Sequence, residues 1–477
     1  MKNLIGNDWK DSSNQNTIEV FNPATETLID TVPDSTVDDV VLTVGLAKEA
    51  QLIWENVSLH ERCSYLSKFA KLVEENSDDL AYMLSEESGK PLKESLEEIN
   101  LLHRDILLFI ERAKHLYGTS KQSGIESEDD KTIQFTVRSA VGVVGVILPY
   151  NFKLNLFAEK VVSALIMGNA VVIKPSTKTP LTITKLVYMV RQAGVFESVI
   201  QVIHGTGKTV GQSLAMHPDI DLVSFNGSTA NGIRIMGYTS KNLSKSLLSL
   251  GGNNAFIVCK DGDIDLAVEE AAKGRFYNAG QLNTSCKRFL IHSSVKEEFI
   301  NKLIRRIGSI RIGLPTDKDT DLGCLISDKA ALKVEKQVNE MIEAGAKLVI
   351  GGGRSGAFYE PTIISDIKPD MPAALNLDIL GPVVSIIEFE KLNDAIDIVN
   401  ASAYGNATSI FTKNMKIAMK VATFIKNSKV VINGSLVDSS ILSSEGWKYS
   451  GVGKEGITAT LEEMSKVKVI VLKDILG

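Results

Sequence analysis

Cysteine is scarce in this 477-residue chain, present only at Cys63, Cys259, Cys286 and Cys324. The four are far apart and form no paired ligand spacing, so neither a disulfide framework nor a zinc module is indicated. Histidine is nearly as rare, at six residues. No apolar run approaches the roughly 20 residues that a bilayer-spanning helix needs; the best, Ala140 to Leu148, reads as a buried strand. The opening residues Met1 to Trp9 lack the apolar core of a secretion signal. A reduced, cytoplasmic setting with no membrane partner is therefore expected. Positive charge is not in excess either. The formal net charge of -6 argues against a nucleic-acid partner. No internal repeat or low-complexity segment is present.

What remains is an ordinary globular composition, 44% hydrophobic and 23% charged. At this length two or three domains are expected. Asp38 to Leu116 reads as long amphipathic helices; Leu59 to Glu75 places apolar residues at three- and four-residue spacing. From Val141 the texture changes. Short β-branched runs at Val141–Ile147, Ala170–Ile173, Ile200–Ile203 and Leu222–Phe225 alternate with helical stretches such as Leu156–Met167 and Leu181–Ala193. That alternation predicts parallel strands in a doubly wound α/β sheet. A second α/β series starts near Asn254, passes through a helix at Glu297–Ile307 and a strand at Lys347–Ile350, and ends near Ile432. Lys121 to Arg138 reads as an inserted hairpin. The tail run Val467–Leu472 is a strand with no neighbour in sequence, and such edges find partners; pairing with another subunit is expected.

Several segments carry chemistry. Gly205-Thr206-Gly207-Lys208-Thr209-Val210-Gly211 follows a strand and opens a helix. Gly207 and Gly211 would let the backbone approach a phosphate at a helix N-terminus, although a plain strand-to-helix turn would read the same. Phe225-Asn226-Gly227-Ser228-Thr229 repeats the arrangement, and Ile173-Lys174-Pro175-Ser176-Thr177-Lys178 precedes both. Further along stand Leu148-Pro149-Tyr150-Asn151-Phe152, Ser249-Leu250-Gly251-Gly252, Tyr277-Asn278-Ala279-Gly280-Gln281-Leu282-Asn283-Thr284-Ser285-Cys286-Lys287-Arg288-Phe289 and Leu377-Asp378-Ile379-Leu380-Gly381-Pro382-Val383.

In order and spacing, these segments resemble those of the aldehyde dehydrogenase superfamily, from Phe21-Asn22-Pro23-Ala24 to the tail strand. The resemblance implies a Rossmann-type cofactor domain over 1–118 and 140–250 and an α/β catalytic domain over 251–440. Oligomerisation elements would occupy 119–139 and 457–477. It also implies an NAD(P) cofactor, a small aldehyde ligand and a homodimer or homotetramer. By the same resemblance, Ile147, Lys174, Ser176, Thr177, Lys178, Gly207, Gly211, Gly227, Ser228, Leu250, Asp378 and Leu380 would contact the cofactor. Lys174 would hold the adenosine ribose, Ser228 the pyrophosphate and Asp378 the nicotinamide ribose. Asn151 would supply an oxyanion-hole amide.

The departures from the family pattern are informative. Thr177 stands where NAD-preferring members carry Glu, and Lys178 follows; a hydroxyl and an ammonium accommodate a 2′-phosphate, so NADP is favoured over NAD. Asn226 replaces a threonine, Leu380 a phenylalanine and Lys153 a proline. At the reacting centre, Asn283 stands at the cysteine nucleophile position and Ser249 at the general-base glutamate. A carboxamide is not a nucleophile, and an unactivated serine hydroxyl is a poor base near neutral pH. Cys286 is the one local thiol and thus the candidate substitute. Three extended residues displace it by roughly 10 Å and turn it to the other face, which favours a small core residue. Ser443-Ser444-Glu445 departs from the family's substrate-mouth pattern as well. The sequence leaves three readings: an NAD(P)-linked aldehyde oxidoreductase without ordinary covalent catalysis, a catalytically silent ligand-binding pseudoenzyme with a regulatory or structural role, or different chemistry on the same cofactor through Asn151.

Overall fold

The β-branched runs between Val141 and Ser249 become five parallel strands in a computed structural model that describes residues 1–121, 132–435 and 442–473. Across the sheet they lie in the order Ile200–Val202, Ala170–Lys174, Val143–Ile147, Leu222–Asn226, Lys245–Ser249. The chain works outward from Val143–Ile147 in one direction, then returns to continue at Leu222–Asn226 on its other side. A doubly wound sheet binds ligands at that switch point, outside the carboxyl ends of the strands. Asn3–Ile5 and Asp8–Lys10 close one edge antiparallel, and Gly451–Val452 closes the other against Lys245–Ser249. Every residue of the two central strands, Val143–Ile147 and Leu222–Asn226, is buried, which is why they read as apolar runs without alternation.

The second series forms a seven-stranded sheet in the order Lys347–Ile350, Thr362–Ser365, Val383–Phe389, Cys286–His292, Asn254–Val258, Ala407–Phe411, Lys429–Ile432. All neighbours are parallel except the first pair. Phe256 stacks on Phe411 with ring centroids 4.5 Å apart and lies 4.9 Å from Phe289, which locks the central strands face to face.

Local signals explain the helices that support the first sheet. Val37–Trp54 starts at a capping box in which the Thr36 hydroxyl accepts from the Asp39 N–H and the Asp39 carboxylate accepts from the Thr36 N–H. Leu59–Glu75 buries Cys63, Leu66, Phe69, Ala70 and Val73, the stripe its periodicity predicts. The stretch read as a helix over Leu156–Met167 is one continuous helical run from Lys153 to Ile166, with a π-helical turn at Phe157–Val162.

The tail strand has a partner on one side within the chain, and its other side is the outer edge of the small sheet. Ser465–Leu472 pairs antiparallel with Ile133–Ala140 of the same chain, and Ser120–Lys121 lies on the far side of Ile133–Ala140. Long-range pairing of this kind leaves no mark in local sequence. The hairpin's connecting residues 122–131, the end of the expected catalytic segment at 436–440 and the last residues 474–477 lie outside the described residues. Among the described residues no helix is long and apolar enough to cross a membrane.

Candidate active site

A cleft of about 560 Å³ lies between the carboxyl ends of the first sheet and the amino ends of the second. Asn151, Asn226, Gly227, Ser228 and Ser249 line it from one side, and Asn283, Asp378, Leu380 and Tyr404 from the other. The loop before Asn283 is conformationally unusual. Asn278 and Ala279 have φ of 49° and 51°, and Gly280 follows at 70°. Left-handed backbone costs a residue with a side chain on the order of 1–3 kcal/mol and persists only where the surroundings impose it. Here the surroundings are polar and buried. Glu94 Oε2 accepts from the Asn278 N–H at 2.7 Å, Asn278 Nδ2 donates to the Asn151 carbonyl at 2.9 Å, and Gln281 Nε2 donates to the Asn278 carbonyl at 3.0 Å. Beneath the loop the buried Arg275 guanidinium donates to Val383 O, Ile379 O and Ser285 Oγ at 2.6, 2.8 and 3.1 Å. Burial pushes the Glu94 carboxyl up to about 8, against the opposing pull of Lys90.

Asn283 faces the cleft. Its Nδ2 donates to the Leu250 carbonyl at 3.3 Å, and its own carbonyl accepts from Asn254 Nδ2 at 3.1 Å and Lys287 Nζ at 3.4 Å. Asn151 is brought beside this loop as the sequence reading requires, with Nδ2 donating to the Gln281 carbonyl at 2.7 Å. That bond uses one of its two amide hydrogens. Cys286 is not brought in. Its side chain is 1% exposed, with Sγ 3.9 Å from both Ala255 O and Ser409 Oγ, inside the core of the second sheet. Cys286 thus sits where the sequence favoured it, as a small core residue rather than a substitute nucleophile. The strand begins at Cys286 itself, so the alternation of the pleat turns the thiol away from the cleft.

Ser249 ends its strand opposite Gly451. Near its hydroxyl lies Glu455, a neighbour the local sequence does not reveal, whose carboxyl the serine helps to lower. Glu455 Oε1 is 2.8 Å from Lys160 Nζ, and Glu159 Oε1 is 3.3 Å from the same ammonium. Burial would raise the Glu455 carboxyl, but the Lys160 ammonium, helped by Lys429, outweighs it and the net shift is downward. Glu159 moves upward, chiefly through burial. Lys160 stays charged: the two carboxylates more than offset its own burial.

The candidate cofactor residues fall into two groups. Near the switch point, Ile147 ends the central strand, and Ser228 caps the helix Thr229–Thr239 through Oγ, which accepts from the Asn231 N–H. The Ser228 hydroxyl hydrogen is free to point outward. A Cβ at Gly227 would lie 2.5 Å from the Phe225 ring, so glycine is needed there for packing. Leu250 is buried, and only 2.4 Å would separate its Cδ2 from a Cβ at Gly232. Asp378 is ion-paired at 2.8 Å with the buried Lys287, and Leu380 lines the cleft without an aromatic ring.

At the other end, Lys174 is buried while Ser176 and Thr177 are half-buried and Lys178 is exposed. A Cβ at Gly207 would meet nothing within 4 Å, and one at Gly211 would touch the Lys174 stem at 3.6 Å. The Asp34 Oδ1 atom is buried with no hydrogen-bond partner among the described residues. Open space over glycines, a buried ammonium and an orphaned carboxylate oxygen suit a polyhydroxylated, phosphate-bearing ligand. The residues present fit a dinucleotide.

Two mainly parallel sheets face each other across a cleft, with a ligand switch point on one and a strained loop on the other. Residues 9–470 match the aldehyde dehydrogenase family. The chain is 35% identical to a lactaldehyde dehydrogenase of Methanococcus aeolicus over 98% of its own length and 99% of the relative's. It superposes at a TM-score of 0.95 on an NADP-dependent enzyme of E. coli, 30% identical, covering 99% of this chain and 98% of that one. A betaine aldehyde dehydrogenase of Staphylococcus aureus solved with NAD+ gives the same TM-score at 31% identity, covering 99% and 97%. The chain belongs to the aldehyde dehydrogenase family.

Glu94, Lys160, Glu455 and Asn254 were not singled out from sequence. Lys160 and Glu455 meet across 295 residues, and Glu94 and Asn278 across 184. Neither pair has a local signature.

Proposed function

We propose that this protein binds NAD(P) and a small aldehyde and performs aldehyde oxidoreduction without an enzyme-bound covalent intermediate. The observation that carries the reading is the Asn283 carboxamide in the cleft, its Nδ2 held by the Leu250 carbonyl while Asn254 and Lys287 hold the residue's backbone carbonyl. A carboxamide can donate to a carbonyl oxygen but cannot add to its carbon.

Lys174 and the Gly207–Gly211 turn would hold the adenosine end, Ser228 the pyrophosphate, and Asp378 with Leu380 the nicotinamide side. When bound, the nicotinamide would supply a hydride acceptor for the aldehyde's hydrate, formed by addition of solvent water, giving the carboxylic acid and a proton. The chain's own groups bind and orient the ligand. The second Asn151 amide hydrogen and Asn283 Nδ2 are donors for its oxygen. Ser249, close to Glu455 and its Lys160 partner, would orient a ligand hydroxyl rather than act as a base. The relatives' names, lactaldehyde and betaine aldehyde dehydrogenase, support a short polar aldehyde.

The division into cofactor, catalytic and oligomerisation segments given by the resemblance belongs to this reading. So does a homodimer or homotetramer: Val467, Val469 and Val471 are exposed along Ser465–Leu472, the outer strand of its small sheet.

Thermal shift with millimolar NAD and NADP, followed by nucleotide turnover with a panel of short aldehydes, tests the proposal. At least one nucleotide is expected to raise the midpoint, and turnover should survive thiol alkylation. Binding without turnover would leave a catalytically silent binding protein. No shift with either nucleotide would remove the cofactor reading.

A further inference from the structure

A second cavity, of about 630 Å³, lies behind the loop that carries Asn283 and shares no lining residue with the active-site cleft. Tyr277 lines this cavity, while Leu282, Asn283 and Thr284 line the cleft. It is framed by the start of the helix Leu92–Ala113 and the ends of the helices Ile264–Phe276 and Lys296–Ile307. Ala272, Phe276 and Ile310 make part of its wall apolar. Among the described residues, four carboxylates line it against three cations. Two of those cations are already paired, Lys93 with Asp321 and Arg306 with Glu269. The third, Lys273, is exposed, so solvent and salt screen it.

Glu94 is the buried acid of the four, at 8% exposed. Its two oxygens serve different sides. Oε2 accepts from the Asn278 N–H at 2.7 Å, in the strained loop. Oε1 accepts from no group among the described residues, yet it is not sealed from solvent. Glu94 lines this cavity and not the active-site cleft, so Oε1 is presented to the cavity. Lys90 is paired with Glu98 and only partly offsets the burial that lifts the Glu94 carboxyl to about 8. A buried carboxylate oxygen without a full counter-charge thus stands beside an apolar wall.

We infer that this cavity is a regulatory site for a small primary alkylammonium compound, whose N–H groups donate to Glu94 Oε1 while its stem lies on Phe276 and Ile310. An ammonium supplies the counter-charge that Lys90 does not, and it brings donors to an oxygen that has none. An anion would meet the excess of carboxylates. The coupling to the active site runs through one side chain. An ionised Glu94 binds the Asn278 N–H more strongly than a protonated one does, and Asn278 Nδ2 in turn holds the Asn151 carbonyl at 2.9 Å. A bound ammonium keeps Glu94 ionised and so tightens the loop. The site is separate from the proposed nucleotide and aldehyde positions and does not depend on them.

Calorimetric titration of the full chain with butylamine, above the pH at which Glu94 ionises, tests the site. Butanol lacks the charge and tetramethylammonium lacks the N–H groups. Butylamine should bind with a Kd of about 10 mM or tighter, and the other two at least about tenfold more weakly, the magnitude of one hydrogen bond to a charged group. Glu94→Gln should lose about tenfold, while Glu269→Gln on the exposed rim should change affinity less than about twofold. Thermal midpoints without ligand serve as the folding control. Hydrogen exchange tests the coupling: butylamine should slow exchange in the peptide spanning 277–284 of the wild type and not of Glu94→Gln. No saturable binding of butylamine, or butanol or tetramethylammonium matching it, would overturn the site without help from any variant. Equal losses in the two variants would do the same, since diffuse surface charge would then be the attraction. Binding that leaves exchange in that peptide unchanged would overturn the regulatory role.

Discussion

Asn151 Nδ2 donates to the Gln281 carbonyl at 2.7 Å and so ties the loop after Val143–Ile147 in the first sheet to the loop that carries Asn283. The two loops belong to different sheets, and this bond is part of what sets the width of the cleft. Replacing Asn151 with Ala removes the tether and is expected to cost about 1 kcal/mol of stability. Nucleotide affinity should be unchanged, because no Asn151 contact reaches Lys174 or Ser228. Thermal denaturation with and without NAD separates the two effects.

The scaffold of the ordinary covalent cycle persists around its missing groups. Asn283→Cys alone should form an acyl enzyme that hydrolyses slowly, since Ser249 cannot activate water. Adding Ser249→Glu should restore multiple turnovers with short aldehydes, followed by nucleotide absorbance. The new carboxyl would sit beside Glu455 and share Lys160 with it, so its pKa should be raised. The double variant is expected to gain rate with increasing pH. No gain over wild type would mean that more than these two groups has changed.

Glu94 gives the molecule a pH dependence whose sign is fixed. Its carboxyl is raised in the folded protein to about 8 from an ordinary value of 4.5. Between those values the folded chain holds a proton that the unfolded chain has released, so stability falls as pH rises through this window and levels off above 8. Glu94→Gln keeps an acceptor for the Asn278 N–H and removes the titration. The thermal midpoint of the variant should decline less than that of the wild type between pH 5 and 8.

Lys153, which replaces the family proline after Asn151-Phe152, is fully buried and 2.6 Å from Glu87 Oε1. Glu87 also accepts from the Leu181 and Thr182 N–H groups at 2.8 and 3.0 Å, at the start of the helix Leu181–Gln192. Removing the ammonium strands a buried carboxylate, so Lys153→Met should cost about 3 kcal/mol in denaturant unfolding. Adding Glu87→Gln should recover part of that loss. Additive losses would show that the two groups are not coupled.

The doubly wound first sheet and the second α/β series were legible because their strands are buried on both faces and read as uninterrupted β-branched runs. The tail strand was legible as a strand but not in its pairing, since its partner Ile133–Ala140 lies more than three hundred residues earlier. At the site, Asn151, Asn283 and Ser249 converge on one cleft, while Cys286 is separated from it by the pleat. What sequence could not give is the set of buried charges around them. Glu94, Lys160 and Glu455 each act through a partner far away in the chain, and nothing in their immediate neighbours distinguishes them from surface residues.

The central claim is that no side chain of this protein attacks the aldehyde. Intact-protein mass spectrometry after incubation with a short aldehyde and NAD or NADP tests it directly, with Asn283→Cys as the positive control. The wild-type mass should be unchanged while the control gains one acyl group. An acyl adduct on the wild type, mapped by digestion to Cys286 or any other residue near Asn283, would contradict the account.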